Sequence, residues 1–145
     1  MSMPLTPDGQ IVAAVLAVAA LCVPLWIFAK ARRNNGVAEL PSGLMFGWGG
    51  AAWGQSCIVI DRDTWHKGPL IAHERCHQQQ MARDGTLRFY WRYLTDKTAR
   101  QQYEVEAYRA WVRHTPGDLH LCAYWLTNSY GLDVSLAVAI KMLTD

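Results

Sequence analysis

The sequence predicts an α+β chain, mostly α, with an N-terminal transmembrane helix followed by a small antiparallel sheet or hairpin packed on helices. Three features carry that expectation: a charge-free apolar run near the start, two apolar stretches flanking Gly49 and Gly50, and helical spacing with cap signals over most of the remaining chain. Setting the first thirty or so residues aside leaves roughly 110, an ordinary size for one domain.

Composition narrows the function classes. The 145 residues carry 14 basic and 12 acidic side chains, a formal net charge of +2, with no long block of one sign. Phosphate binding needs a concentrated basic face, so nucleic acid is excluded as a partner. Hydrophobic residues make up 51% and there are seven Trp, which excludes a disordered chain and implies a dense core or membrane contact. Cys22 lies inside the apolar N-terminal run, and Cys57, Cys76 and Cys122 leave an odd number beyond it. No paired framework is evident, which favours a reducing compartment or inert buried thiols.

From Ile11 to Ala29 the run IVAAVLAVAALCVPLWIFA holds no charge over nineteen residues, close to the ~20 that a helix needs to cross the hydrocarbon layer. It reads as a membrane span, with residues 1–31 as tail and transmembrane helix and the lipid bilayer contacted through residues 11–29. Proline is tolerated in such helices, so Pro24 is no objection, and Trp26 suits an interfacial anchor. No Lys or Arg precedes the run, whereas Lys30, Arg32 and Arg33 come directly after it. The positive-inside rule then puts the N-terminus outside and the domain on the cytoplasmic side. A cleaved signal peptide is the main rival, because Ala29 and Ala31 imitate a small-x-small cleavage site, but the positive n-region is missing. A buried soluble helix is the other.

Residues 32–43, RRNNGVAELPSG, read as a juxtamembrane linker, and residues 44–145 as the folded domain. Apolar stretches on either side of Gly49-Gly50, the second ending in Ile58, Val59 and Ile60, fit a hairpin or short antiparallel sheet. No Gly-Lys-Ser/Thr comes after the glycines, so a phosphate loop is rejected. Pro69 suits the first turn of a helix that runs to about Arg83 and stops at Asp84-Gly85. The next stretch, TLRFYWRYL, places Leu87, Tyr90, Trp91 and Leu94 at helical spacing and is expected to be core. Asp96 caps a third helix from Lys97 to about His114, ended by Thr115-Pro116-Gly117. Two more short helices complete the chain, separated by Ser129-Tyr130-Gly131.

The first of these helices carries the chemistry. His73-Glu74-Arg75-Cys76-His77 spells HExxH. On a helix the two histidines lie one turn apart on one face, and both imidazoles can reach a single tetrahedral zinc. Glu74 stands beside them, able to take a proton from water that the metal has acidified and to return it to a leaving amine. Such a site needs a third protein ligand and an open fourth position. The third helix offers Glu104 and Glu106, after 26 intervening residues, and these point about 200° apart, so only one can face the metal. Cys76 lies about 100° round the helix from His77 and reads as a buried small apolar residue, not a nucleophile. Tyr90, Tyr93, Tyr108, His114 and His120 are candidates to stabilise an oxyanion, and His66 lies near the cleft-side turn. Each of these is more often a packing or surface residue.

The segment HERCHQQQ followed by YEVEAYRA resembles the glutamate-zincin (gluzincin-like) metallopeptidases. The likeness is to the CAAX prenyl endopeptidase type and to small bacterial and phage-borne domains patterned HExxHxxQ and then E-x-E-A. It covers about Ser56 to Arg109. The resemblance implies a minimal zincin-like domain, Zn2+ as cofactor, metal ligands His73, His77 and Glu104, Glu74 as general base, and a peptide or protein substrate. Gln80 matches the extra glutamine. The position four after the ligand glutamate is often an aspartate that orients a ligand, and here it is Tyr108. CIVIDRDTW resembles the edge strand that such domains lay along the substrate cleft, where a peptide would add as a further strand. The expected activity is membrane-anchored, zinc-dependent hydrolysis of peptide bonds. The alternatives are a metal-binding structural or assembly component of a membrane complex or phage virion, and a cell-wall peptide hydrolase, which would have to face outward.

Overall fold

A computed structural model describes residues 22–45 and 49–145. The run expected to span a membrane, residues 11–29, lies for its greater part outside the described residues. Among the described residues no helix is long and apolar enough to cross a membrane. Residues 22–33 are helical (α1), with Ile27 and Ala31 buried and Val23, Leu25, Trp26 and Phe28 exposed.

The architecture is α+β and mostly helical, around a three-stranded mixed sheet. The strands are β1 (Val37–Leu40), β2 (Gly50–Trp53) and β3 (Cys57–Asp61), in the order β1-β3-β2. The expected antiparallel hairpin is β2-β3, with Ala51 opposite Val59. β1 adds a parallel partner on the other side of β3, with Val37 opposite Ile58. It arises inside residues 32–43, so that segment is no free linker. Its polar flanks conceal a short two-faced strand: Val37 joins the core on one side of the sheet, Ala38 and Leu40 the core on the other. Asn35 and Gly36, both at positive φ, turn the chain from α1 into it.

β3 is therefore central and buried on both faces, which explains its unbroken apolar run. Ile58 and Ile60 face the main helical core, and Cys57 and Val59 face Ile27, Ala31 and Met45. Because both its edges are paired, β3 cannot be the edge strand expected of CIVIDRDTW. The edge strands are β1 and β2.

Five helices complete the fold: α2 (Lys67–Asp84), α3 (Thr86–Thr95), α4 (Lys97–His114), α5 (Leu119–Asn128) and α6 (Leu136–Thr144). Pro69 sits in the first turn of α2, and Gly85 at φ 84° ends it. The Asp96 carboxylate caps α4 by accepting from the Ala99 N–H at 3.0 Å. α2 and α4 pack antiparallel: Gln80, late in α2, meets Tyr103, early in α4, while His73 meets Tyr108. α3 departs from expectation. Leu87, Trp91 and Leu94 are 87%, 70% and 73% exposed, and it is Phe89 that enters the core, with Ala52, Met81, Ala99 and Tyr103. The helix is amphipathic as its spacing says, but the Phe89–Tyr93 side faces inward because the space beside α2 and α4 is filled by aromatic rings.

Candidate metal centre

The antiparallel pairing of α2 and α4 brings three buried side chains together. His73 and His77 project from α2 one turn apart, and Glu104 comes from the facing turn of α4, 1% exposed. His73 Nε2 and His77 Nε2 are 3.1 Å apart. Glu104 Oε2 lies 3.5 Å from His73 Nε2, and Glu104 Oε1 lies 3.6 Å from His77 Nε2. Tetrahedral zinc with arms of about 2.0–2.1 Å holds neighbouring donor atoms about 3.3–3.4 Å apart, so these separations are close to those of one coordination sphere. Among the described residues Glu104 Oε2 is buried with no hydrogen-bond partner, a costly state for a carboxylate oxygen that a cation relieves. The three residues fit a metal ion, and the group His73, His77 and Glu104 can hold one.

Protonation agrees with that use. Burial, and secondarily His77, hold the His73 imidazole well below its ordinary value, which keeps it neutral and able to donate a lone pair. Burial raises the Glu104 carboxyl, so its anionic form asks for a positive partner. Glu74 is raised to about 7, chiefly by burial, and a backbone hydrogen bond from Ala52 opposes the shift. A cation on the neighbouring donors would draw it down again.

The surrounding shell differs between ligands. His77 Nδ1 meets Gln80 Oε1 at 2.8 Å, and the Gln80 amide is fixed in turn by donating to Tyr103 O at 3.0 Å and to Glu106 Oε2 at 2.9 Å. That clamp leaves Nε2 turned toward His73 and Glu104, available to a metal ion. Glu106 is thus turned away from the centre, toward Gln80 and Arg83. The Tyr93 hydroxyl donates to Glu104 Oε1 at 2.5 Å. Among the described residues His73 has no such partner at Nδ1, and Tyr108 sets its ring at 4.5 Å from the imidazole instead.

His73 and Glu74 open onto a cleft of about 730 Å³. Of the expected candidates, His66, Tyr93 and Tyr108 line it. His66 Nδ1 lies 3.4 Å from Asp118 Oδ2, and Nε2 is buried without a partner among the described residues. Tyr90 is elsewhere, donating to Ala52 O at 3.0 Å on the β2 edge. His114 lies against Gly68 beside a second, smaller cavity, and His120 is exposed. Cys76 is half-buried and not fully buried as expected, and burial followed by Glu106 pushes its thiol up to about 11, which disfavours a thiolate nucleophile.

The cleft also contains Trp65, Arg100, Trp111, Trp125 and Tyr130, which sequence reasoning did not single out. For Trp65 a signal existed, an aromatic residue in the polar turn DRDTWHKG. The others come from α4, α5 and the turn after α5, and only the tertiary fold brings them to the site. Compared with known proteins, the chain matches no protein-family model, no curated protein and no solved structure.

Proposed function

We propose that the chain is a membrane-anchored, zinc-dependent metallopeptidase with His73, His77 and Glu104 as ligands and Glu74 as general base. The observation that supports this is the convergence of two imidazole nitrogens 3.1 Å apart with the two oxygens of one buried carboxylate, Oε2 at 3.5 Å from His73 and Oε1 at 3.6 Å from His77, and a second carboxylate beside them at an open cleft. An N₂O donor set with a free fourth position suits zinc, which when bound supplies Lewis acidity for a peptide carbonyl and for water. The chain's own residues do the rest. Glu74, buried at the cleft beside the two imidazoles, accepts the proton of the attacking water and passes it to the amine that leaves.

The peptide is held at β2. Alternate residues of an edge strand turn their backbone groups outward. Ala52 C=O is occupied by Tyr90 and Gly49 C=O by the Asp61 N–H at 2.8 Å, whereas Gly50, between them, lines the cleft. A Cβ at Gly50 would approach Leu70 and Ile60 to 3.3 Å, so glycine lets this end of the strand lie close against α2. An extended substrate pairs here through its backbone and leaves side-chain selection to the aromatic walls. Residues 11–29 hold the domain to a bilayer, on the cytoplasmic side by the flanking charge.

Glu74→Gln tests the reading. The variant should keep its zinc and lose about 10²–10⁴-fold in peptide turnover. Turnover that survives the substitution would remove Glu74 as base, and a zinc-loaded wild type inert toward a peptide library would favour the structural or assembly role.

A further inference from the structure

We propose that Trp65 at the cleft and Leu44, in the segment that leaves β1, form a membrane-contacting surface seated in the bilayer interface, level with Trp26; this rests on the reading of residues 11–29 as a span. α1 is not tethered to the sheet by slack chain. Three residues, Asn34 to Gly36, reverse it into β1, with the Gly36 N–H bonded to Ala31 O at 2.9 Å. Lys30 then reaches back to the Glu39 carbonyl, and Ile27 packs with Leu40 and Met45. α1 and β1 are therefore antiparallel, and moving toward the N-terminus of α1 is moving toward the carboxyl ends of β1 and β3.

Trp65 lies at that same end. The Arg62 N–H bonds Leu40 O at 2.8 Å, and Ser42 Oγ sits 2.8 Å from both Asp61 Oδ1 and Asp63 Oδ2. The turn between β3 and α2 is thereby fixed beside the segment that leaves β1. Large apolar side chains are exposed there on both sides of the junction: Leu25 68%, Trp26 52%, Leu44 56% and Trp65 86%. Of the charges nearby, Arg62 pairs with Asp63 and Lys67 with Glu39, and the Asp61 carboxylate accepts from Ser42 Oγ and the Asp63 N–H.

The chain that enters this end indicates its cover. Residues 11–21 are apolar and uncharged and lead without a break in sequence into α1, whose N-terminus stands at this end of the sheet. Lys30 is the first charge after the run, and Trp26 lies about one helical turn, ~5.4 Å, deeper. A helix that spans up to that level brings Leu44 and Trp65 to the headgroup boundary, where amphipathic tryptophan is most stable. Because Trp65, Gly49 and Gly50 also line the cleft, its mouth opens beside the bilayer.

The test uses the full chain with Cys22→Ser and Cys76→Ser, reconstituted into phosphatidylcholine–phosphatidylglycerol vesicles. A bimane label is placed at Trp65→Cys or, as reference, at Ser56→Cys, exposed at the opposite end of β3. The label at 65 should be several-fold less quenched by aqueous iodide than the label at 56, and several-fold more quenched by lipids with a shallow nitroxide. Equal quenching at both positions in protein that resists carbonate extraction would overturn the rim contact and leave the anchor standing. Protein stripped from the vesicles by carbonate would overturn the span, and the rim contact with it.

Discussion

At the scale of single residues the two imidazoles are unequally held. His77 is locked by Gln80, whose amide is itself fixed by Tyr103 and Glu106, while His73 has a tyrosine ring where an acceptor would usually stand. Orientation of His77 therefore depends on a residue that touches no metal. Gln80→Ala should weaken zinc affinity by about 10–100-fold, read by competition with a chromogenic chelator; unchanged affinity would show that the clamp is dispensable. The histidine pair and Glu74 are legible in the sequence because helical geometry alone puts positions four apart on one face. Glu104 is less so: spacing leaves it level with Glu106, and only family likeness prefers it. Packing distinguishes them physically, since Gln80 and Arg83 draw Glu106 to the rim of the α2–α4 seam while Glu104 points inward. Tyr130 and Trp125 cannot be read beforehand, because no local pattern says which face of a late helix or turn will close a distant cleft.

At the scale of elements, helix boundaries are legible where a cap or a break has a local chemical cause. Asp96 opens α4 through one hydrogen bond to Ala99, and Asp96→Ala should cost about 1 kcal/mol of unfolding free energy in urea titration. A cost indistinguishable from zero would mean that the cap is redundant. Which face of a helix is buried is less legible. The spacing of α3 is amphipathic, but two stripes, one through Leu87, Trp91 and Leu94 and one through Phe89 and Tyr93, compete for the core. The aromatic stripe wins because Phe89 meets Tyr103 at 4.7 Å and Tyr93 reaches Glu104. Accordingly Leu87→Ser and Leu94→Ser should each change stability by no more than about 0.5 kcal/mol, whereas Ile60→Ala, in the central strand, should cost about 2–5 kcal/mol. A large loss at Leu94 would contradict the exposed placement of that stripe. β1 is hidden for a related reason: four residues between polar flanks show too little periodicity to separate a strand from a loop.

At the scale of the molecule, the sheet is a partition. Its one face closes over the helices that build the metal centre, and its other face is covered by α1, so the strand run that resembles an exposed edge is the most enclosed segment of the sheet. The α2–α4 pair supplies all three candidate ligands, and β2 and the turn after β3 supply the cleft floor and lip. Everything proposed about chemistry depends on that pair holding one cation. The most direct test is the zinc content of purified protein by plasma emission spectroscopy, wild type beside Glu104→Ala and Glu106→Ala. Wild type and Glu106→Ala should each carry one zinc per chain, and Glu104→Ala should carry little or none. A wild type without stoichiometric zinc, or loss of metal on changing Glu106 and not Glu104, would contradict the site.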